Sequence, residues 1–79
     1  MSETIQLSDL PTGQEAIVAA LPSGVAGLTR LREMGVLPGT RIQLVRRAPL
    51  GDPLEIAVRG SLLSLRQKEA ELIEVTPQG

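Results

Sequence analysis

The sequence predicts a mainly β fold, a small and partly closed antiparallel barrel of about five strands with one helix and one short helical turn. Eight glycines and six prolines are spread along the 79 residues, which is typical of short strands joined by turns. Between these turn residues, apolar and polar side chains alternate over segments of strand length. Only one long segment changes to a helical period, so the fold is predicted to be mainly β.

Strands are predicted where apolar residues alternate or form a short run between turns. One such segment contains Ile5 and Leu7. The others span residues 15–21, 40–47, 54–58, 62–65 and 72–75. Short sequential strands favour antiparallel pairing, and partial closure protects the sheet edges. We expect a single domain over residues 1–79, with a tail that frays from about residue 76.

Residues 24–34 are predicted to form a helix of about three turns. Its apolar residues recur every three positions: Val25, Leu28, Leu31 and Met34. We expect Ser23 to cap the helix and Gly35 to end it. The apolar stripe is expected to pack on the barrel, and the alternative is that Met34 contacts another chain. Residues 66–71 form the predicted helical turn.

Glycine and proline mark the predicted turns and the helix end. Proline fixes φ, and glycine adopts the positive φ that tight turns need. The residues expected to act in this way are Gly35, Pro38, Gly39, Gly51, Pro53 and Gly60. Pro38 and Gly39 form no phosphate-binding loop, because the GxxxxGK[ST] pattern is absent.

The composition disfavours catalysis and metal binding. The chain has no histidine and no cysteine, which are the commonest general acid–base, thiol nucleophile and transition-metal ligands. Serine–lysine chemistry would depend on Lys68 with Ser61 or Ser64, and Lys68 is expected in a solvated turn. Five carboxylates are best explained as solvated surface charge, and weak binding of a divalent cation by them is the alternative. They are Asp9, Glu15, Glu69, Glu71 and Glu74. We therefore predict no catalytic, cofactor-binding or metal-binding residue.

Charge and hydropathy also limit the partners. Eight basic and nine acidic residues give a net charge of −1, and there is no aromatic residue. Nucleic-acid binding is disfavoured, because such domains are usually basic and use aromatic stacking, but a nucleic-acid-binding barrel remains an alternative. No apolar run approaches the ~20 residues of a membrane span, and no signal-peptide pattern is present. We expect a cytoplasmic protein.

The loop at residues 48–53 is a candidate contact surface. Two prolines and a glycine restrict it, and a rigid loop loses less entropy when it binds. Pro49, Leu50 and Asp52 are its candidate contact residues. The alternative is a plain hairpin connection.

Three arginines form a second candidate contact group. Pairing Leu44 with Ile56 would place Arg41 opposite Arg59 on the outer face of the barrel, with Val45 opposite Glu55. Arg47 would then lie diagonal to Glu55 and form an exposed ion pair. Arg41, Arg47 and Arg59 are therefore candidates to contact an acidic partner, and the alternative is that they are simply solvated.

Three motifs in order resemble the FeoA family of small accessory proteins of bacterial ferrous-iron uptake. They are Leu31-Arg32-Glu33-Met34-Gly35-Val36-Leu37-Pro38-Gly39-Thr40, then Ala48-Pro49-Leu50-Gly51-Asp52-Pro53-Leu54-Glu55-Ile56 ahead of Val58-Arg59-Gly60, then Leu65-Arg66 with Glu69-Ala70 and Ile73 to Val75. The resemblance runs from about Ile5 to Val75.

The resemblance implies an SH3-like barrel and association with the cytosolic part of FeoB, the membrane ferrous-iron transporter with a nucleotide-hydrolysing domain. Recruitment by that partner to the inner face of the membrane follows from the same resemblance. The barrel also occurs as the last domain of some metal-dependent repressors, which gives an alternative regulatory role. Self-association is left open.

Overall fold

The computed structural model describes residues 3–79, so the first two residues of the predicted domain lie outside the described residues. Six antiparallel strands form one sheet in the order β1-β6-β2-β3-β4-β5. The strands are β1 Ile5–Gln6, β2 Glu15–Ala20, β3 Arg41–Arg47, β4 Leu54–Val58, β5 Ser61–Leu65 and β6 Glu74–Gln78. The helices are α1 Ala26–Glu33 and the short α2 Gln67–Ala70, with a 3₁₀ turn at Leu7–Asp9. The predicted mainly β architecture is confirmed: residues 3–79 form six strands, one in each predicted segment, where the overall expectation was about five.

The core is built from aliphatic side chains that the strand alternation directs inward. In β4, Leu54, Ile56 and Val58 are buried, and Ala57 between them is only partly covered. Leu7 and Leu10, at the 3₁₀ turn, are completely buried in the same cluster. Removing this apolar area from water supplies the main stabilising free energy.

The predicted frayed tail from about residue 76 is wrong. Thr76, Pro77 and Gln78 continue β6 and pair with β2, where Pro77 lies opposite Ala16. Proline is tolerated there because β1 pairs with β6 only at Val75 and Glu74, so the other side of β6 at Pro77 needs no donor. The turn-like sequence Thr76-Pro77-Gln78-Gly79 concealed this pairing.

The predicted helix is confirmed over the shorter range Ala26–Glu33. Val25, and not Ser23, occupies the N-cap position, and no side chain caps it. Val25 packs against the core, and its carbonyl accepts the N–H groups of Leu28 and Thr29. Packing of the valine therefore sets the start of the helix. Gly35 follows the helix with φ +104.

The β3–β4 hairpin has the predicted register only in part. Leu44 lies opposite Ile56 and Gln43 opposite Ala57, as expected. A bulge between Leu44 and Arg46 then leaves Val45 as the extra residue, so Arg46 faces Glu55. Sequence alternation cannot reveal one inserted residue, and the insertion changes the direction of every side chain beyond it.

Candidate functional site

Arg47 is only partly exposed, and its side chain is hydrogen-bonded within the fold. Its guanidinium donates to the main-chain carbonyls of Ser8 at 2.6 Å and Leu10 at 3.0 Å. The predicted Arg47–Glu55 ion pair is wrong. Because of the bulge, Arg46 forms that pair instead, with Nε 3.3 Å from a Glu55 carboxylate oxygen.

Arg41 is exposed, and the β3–β4 pairing ends before it reaches Arg41 and Arg59. It begins β3 opposite Ile17 of β2, and its guanidinium lies 3.1 Å from the Glu15 carboxylate. β4 ends at Val58, so no strand partner stands opposite Arg41 on that side. The basic patch expected from these two arginines is not formed by cross-strand pairing.

Arg59 lies in a strained turn. Arg59 has φ +51 and Gly60 has φ +84, and both lie between the paired residues Val58 and Ser61. Two positive φ values are what a two-residue type I′ hairpin turn requires, and Asn-Gly is the usual sequence there. The Arg59 side chain passes over Gly35, since a Cβ at Gly35 would lie 3.8 Å from Arg59 Cδ. The turn therefore sits beside the C-terminal end of α1.

The 48–53 loop presents Leu50 to solvent. The Leu50 side chain is 96% exposed at the loop tip. Internal hydrogen bonds close the loop: the Gly51 N–H donates to the Ala48 carbonyl, and the Ala48 N–H donates to the Pro53 carbonyl. Asp52 accepts the Gln67 N–H at 3.0 Å, which ties the loop to the start of α2. Leu50 is thus held on an ordered support.

Sequence reasoning missed the residues along the outer edge of β5. The Arg30 guanidinium donates to the Ser64 carbonyl at 3.1 Å and reaches the Met34 sulfur at 4.0 Å. Leu62 is 63% exposed and Met34 is 51% exposed. A signal was present in the adjacent pair Leu62-Leu63, because two neighbouring strand residues face opposite sides and one of these leucines must point outward.

We call this region the β5 edge surface. It runs from Leu50 at one end of the β3–β4 hairpin to Arg59 at the start of β5. A cleft of about 510 Å³ opens beside it and is lined by Arg30, Asp52, Pro53, Ser64, Leu65, Arg66 and Glu69. The surface is defined by six residues: Arg30, Met34, Leu50, Arg59, Leu62 and Ser64.

The two edges of the sheet differ in charge, because the cleft near β1 is lined by acidic residues alone among its charged groups and the cleft near β5 by residues of both signs. Within residues 3–79 the ion pairs are Arg41–Glu15 and Arg46–Glu55, so Arg30 and Arg59 at the β5 edge are in none. Near β1, at the other edge, a cleft of about 620 Å³ is lined by Thr4, Ile5, Gln6, Asp9, Glu71, Leu72 and Glu74. The acidic residues of the cleft beside β5, Asp52 and Glu69, each accept a main-chain N–H, so Arg30 and Arg59 are the charges at this edge that suit an acidic partner.

Carboxylates are scattered in the described part of the chain. No group of three or more Asp or Glu side chains there is arranged to hold a metal ion. Glu15 pairs with Arg41, and Glu69 accepts the Arg66 N–H at 2.8 Å. Among residues 3–79, no helix is long and apolar enough to cross a membrane.

Comparison with known proteins assigns the fold and the family. The FeoA domain model matches residues 5–77. FeoA of Chlorobium tepidum is 37% identical, with a TM-score of 0.88 over 95% of this chain and 71% of that chain. FeoA of Stenotrophomonas maltophilia, a prokaryotic SH3 domain protein solved with zinc, is 33% identical, with a TM-score of 0.72 over 95% and 88% of the two chains.

A curated relative joins this kind of domain to a transporter. The Fe(2+) transport protein A/Fe(2+) transporter FeoB fusion protein of Porphyromonas gingivalis is 35% identical over 71 residues, which cover 90% of this chain. The chain spans only 8% of the length of that fusion protein. The SH3-like fold predicted from the resemblance is confirmed by the structural relatives. The chain belongs to the FeoA family, which is linked to ferrous iron transport.

Proposed function

We propose that the chain is a non-catalytic accessory protein of ferrous-iron uptake that acts by contact with the cytosolic part of a FeoB-type transporter. The observation that carries the proposal is the fusion of a related domain with FeoB in one polypeptide. Covalent linkage holds two units together at an effective concentration in the millimolar range, which suits units that act on each other. We place the protein in the cytoplasm, where its partner recruits it to the membrane.

Contact, and not chemistry, suits the side chains available. The sequence has no histidine or cysteine to act as nucleophile, base or soft metal ligand. The β5 edge surface instead offers three exposed apolar side chains, Leu50, Leu62 and Met34, together with Arg30 and Arg59, which form no ion pair in the described chain. Exposed apolar side chains beside arginines are typical of protein interfaces.

Binding can change transport only if the chain prefers one state of the transporter. A ligand shifts a conformational equilibrium by the difference between its affinities for the two states. We therefore expect contact to change the rate of nucleotide hydrolysis or of iron transport by FeoB, while the partner supplies the metal and nucleotide chemistry.

Co-purification with the full-length transporter tests the proposal. The tagged chain is added to the transporter of the same organism in mild detergent, and retention and nucleotide hydrolysis are measured. Leu50→Asp is expected to weaken retention, because a carboxylate replaces an almost fully exposed apolar contact at the loop tip. Leu72→Asp, at the opposite edge of the sheet and also exposed, is the matched control. If the wild-type chain is not retained, the proposed function is wrong.

A further inference from the structure

The outer edge of β5 carries main-chain groups that no strand pairs within residues 3–79. Because Arg30 donates to the Ser64 carbonyl, that carbonyl points away from β4. Residues two apart in a strand direct their N–H and C=O groups to the same side, so Leu62 presents both of its groups outward. The two-residue turn leads to the same orientation. It makes Val58 and Ser61 a hydrogen-bonded pair, so the main-chain groups of Ser61 point towards β4 and those of the next residue, Leu62, point outward.

The outward groups of Leu62 are not covered by the rest of the described chain. No turn, loop or helix backbone among residues 3–79 forms a hydrogen bond with them. The Leu62 side chain is mostly exposed beside them, and Arg30 brings the half-exposed Met34 to the same edge. A free edge flanked by apolar side chains is a ready template for another strand.

The arginines at this edge favour a partner strand that carries negative charge. Arg30 lies near Ser64 and Arg59 precedes β5 at the opposite end, and neither forms an ion pair in the described chain. Of the carboxylates nearby, Asp52 accepts the Gln67 N–H and Glu69 accepts the Arg66 N–H, and Glu33 forms no salt bridge with Arg30. Arg59 occupies a positive φ that costs an arginine stability, and such strain concentrates at functional positions.

We propose that the β5 edge binds an extended acidic segment of the transporter as a seventh strand. This deepens the proposed function and rests on it. The segment exchanges hydrogen bonds with Leu62 and replaces Arg30 at the Ser64 carbonyl. An apolar side chain of the segment packs on Leu62 and Met34, and carboxylates on either side of it pair with the guanidinium groups of Arg30 and Arg59.

A second copy of the chain is the less suitable occupant. The only other free sheet edge in the described chain is β1, which has just two residues, Ile5–Gln6. The β5 edge offers five residues, Ser61–Leu65, or about 16 Å of strand. Acidic residues do lie near β1, but two residues cannot fill an edge of that length. Antiparallel pairing of β5 with β5 of a second copy would bring Arg30 of one copy, at Ser64, towards Arg59 of the other, before Ser61, and these like charges repel.

Hydrogen exchange in the complete chain tests this strand addition directly. Exchange of the amides in residues 61–65 is measured for the chain alone and with the full-length transporter in lipid nanodiscs. We expect the Leu62 and Ser64 amides, which are free in the chain alone, to exchange at least about tenfold more slowly in the complex. Sedimentation of the chain alone, over the same concentrations, identifies self-association.

Two variants separate main-chain pairing from side-chain contact. Leu62→Pro removes an outward N–H that no strand uses, and Leu62→Thr is the matched control that loses the same leucine but keeps the N–H. We expect Leu62→Pro to bind about tenfold more weakly than Leu62→Thr. Arg59→Asn keeps a favourable turn residue, and we expect it to reduce the affinity and its dependence on salt.

The outcomes distinguish this inference from the proposed function. If the transporter binds but protects another surface, or if residues 61–65 are protected only by self-association, the strand addition is wrong and the proposed function stands. If the wild-type chain does not bind the transporter at all, both are wrong. Should Leu62→Pro fail to fold, protection in the wild-type chain still decides the question.

Discussion

The Arg47 guanidinium lies 2.6 Å from the main-chain oxygen of Ser8 and so joins the end of β3 to the 3₁₀ turn. The same group donates to the Leu10 carbonyl, and Ser8 is itself buried. A 3₁₀ turn leaves carbonyls without main-chain partners, and a buried carbonyl without a donor is costly. An arginine that appears from the sequence to be a surface charge therefore acts as a tether within the fold.

Replacement of Arg47 tests this tether. Arg47→Met keeps most of the aliphatic stem but leaves the Ser8 and Leu10 carbonyls without their donor. We expect a loss of about 1–3 kcal/mol in the free energy of unfolding, measured by urea denaturation. Arg46→Met is the matched control, because it breaks an exposed ion pair worth at most about 1 kcal/mol. Equal losses in the two variants would contradict a structural role for Arg47.

The strained turn predicts a substitution that stabilises the protein. Arg59→Asn places a residue favoured at positive φ at the first central position of the type I′ turn. We expect the free energy of unfolding to rise by about 0.5–1 kcal/mol and the Tm by a few degrees. Arg41→Asn, outside any turn, serves as the comparison. A lower Tm for Arg59→Asn would mean that the contact of Arg59 with Gly35 outweighs the backbone strain.

Gly27 and Glu69 are expected to be energetically coupled. A Cβ at Gly27 would collide with the Glu69 carboxylate, so Gly27→Ala must displace a side chain that accepts the Arg66 N–H. The displacement should cancel much of the ~1 kcal/mol that alanine gains over glycine in a helix. In a Glu69→Ala background the full gain should appear, and a double-mutant cycle measures the difference. Identical effects in both backgrounds would show that no coupling exists.

Deletion of residues 76–79 tests the length of β6. Loss of the pairing of Thr76–Gln78 with β2, together with the hydrogen bond from the Gln14 side chain to the Gln78 carbonyl, should destabilise the protein. We expect about 1–3 kcal/mol by urea denaturation. Removal of Gly79 alone should have little effect. If the deletion leaves the free energy of unfolding unchanged, residues 76–79 are a frayed tail and not part of β6.

Alternation and periodicity were enough to predict the strands with one buried face and the position of α1. In β4, every second residue is buried, and that pattern can be read directly from Leu54, Ile56 and Val58. The bulge at Val45 could not be predicted, because it depends on tertiary packing and reverses the faces of Arg46 and Arg47. The pairing of Pro77 could not be predicted, because proline lacks an N–H and is tolerated there only since β1 ends before it reaches that position of β6.

The candidate surface was predicted only in part: Leu50 and Arg59 were candidate contacts, and Met34 was an alternative one. Leu50 is a candidate because it lies in a loop restricted by two prolines and a glycine, and Arg59 is one because the expected register places it on the outer face opposite Arg41. Arg30, Leu62 and Ser64 lie between them, on two elements 34 residues apart in the sequence at the Arg30–Ser64 contact. Only the edge position of β5 and its approach to α1 bring them together, and neither follows from local sequence pattern.

Titration of the full-length FeoB-type transporter in nanodiscs with the purified chain tests the central claim most directly. We predict saturable binding that changes the rate of nucleotide hydrolysis by the transporter. Leu50→Asp should weaken this binding, and Leu72→Asp should not. Absence of saturable binding up to a concentration on the order of 100 µM, with hydrolysis unchanged, would contradict an accessory role through contact.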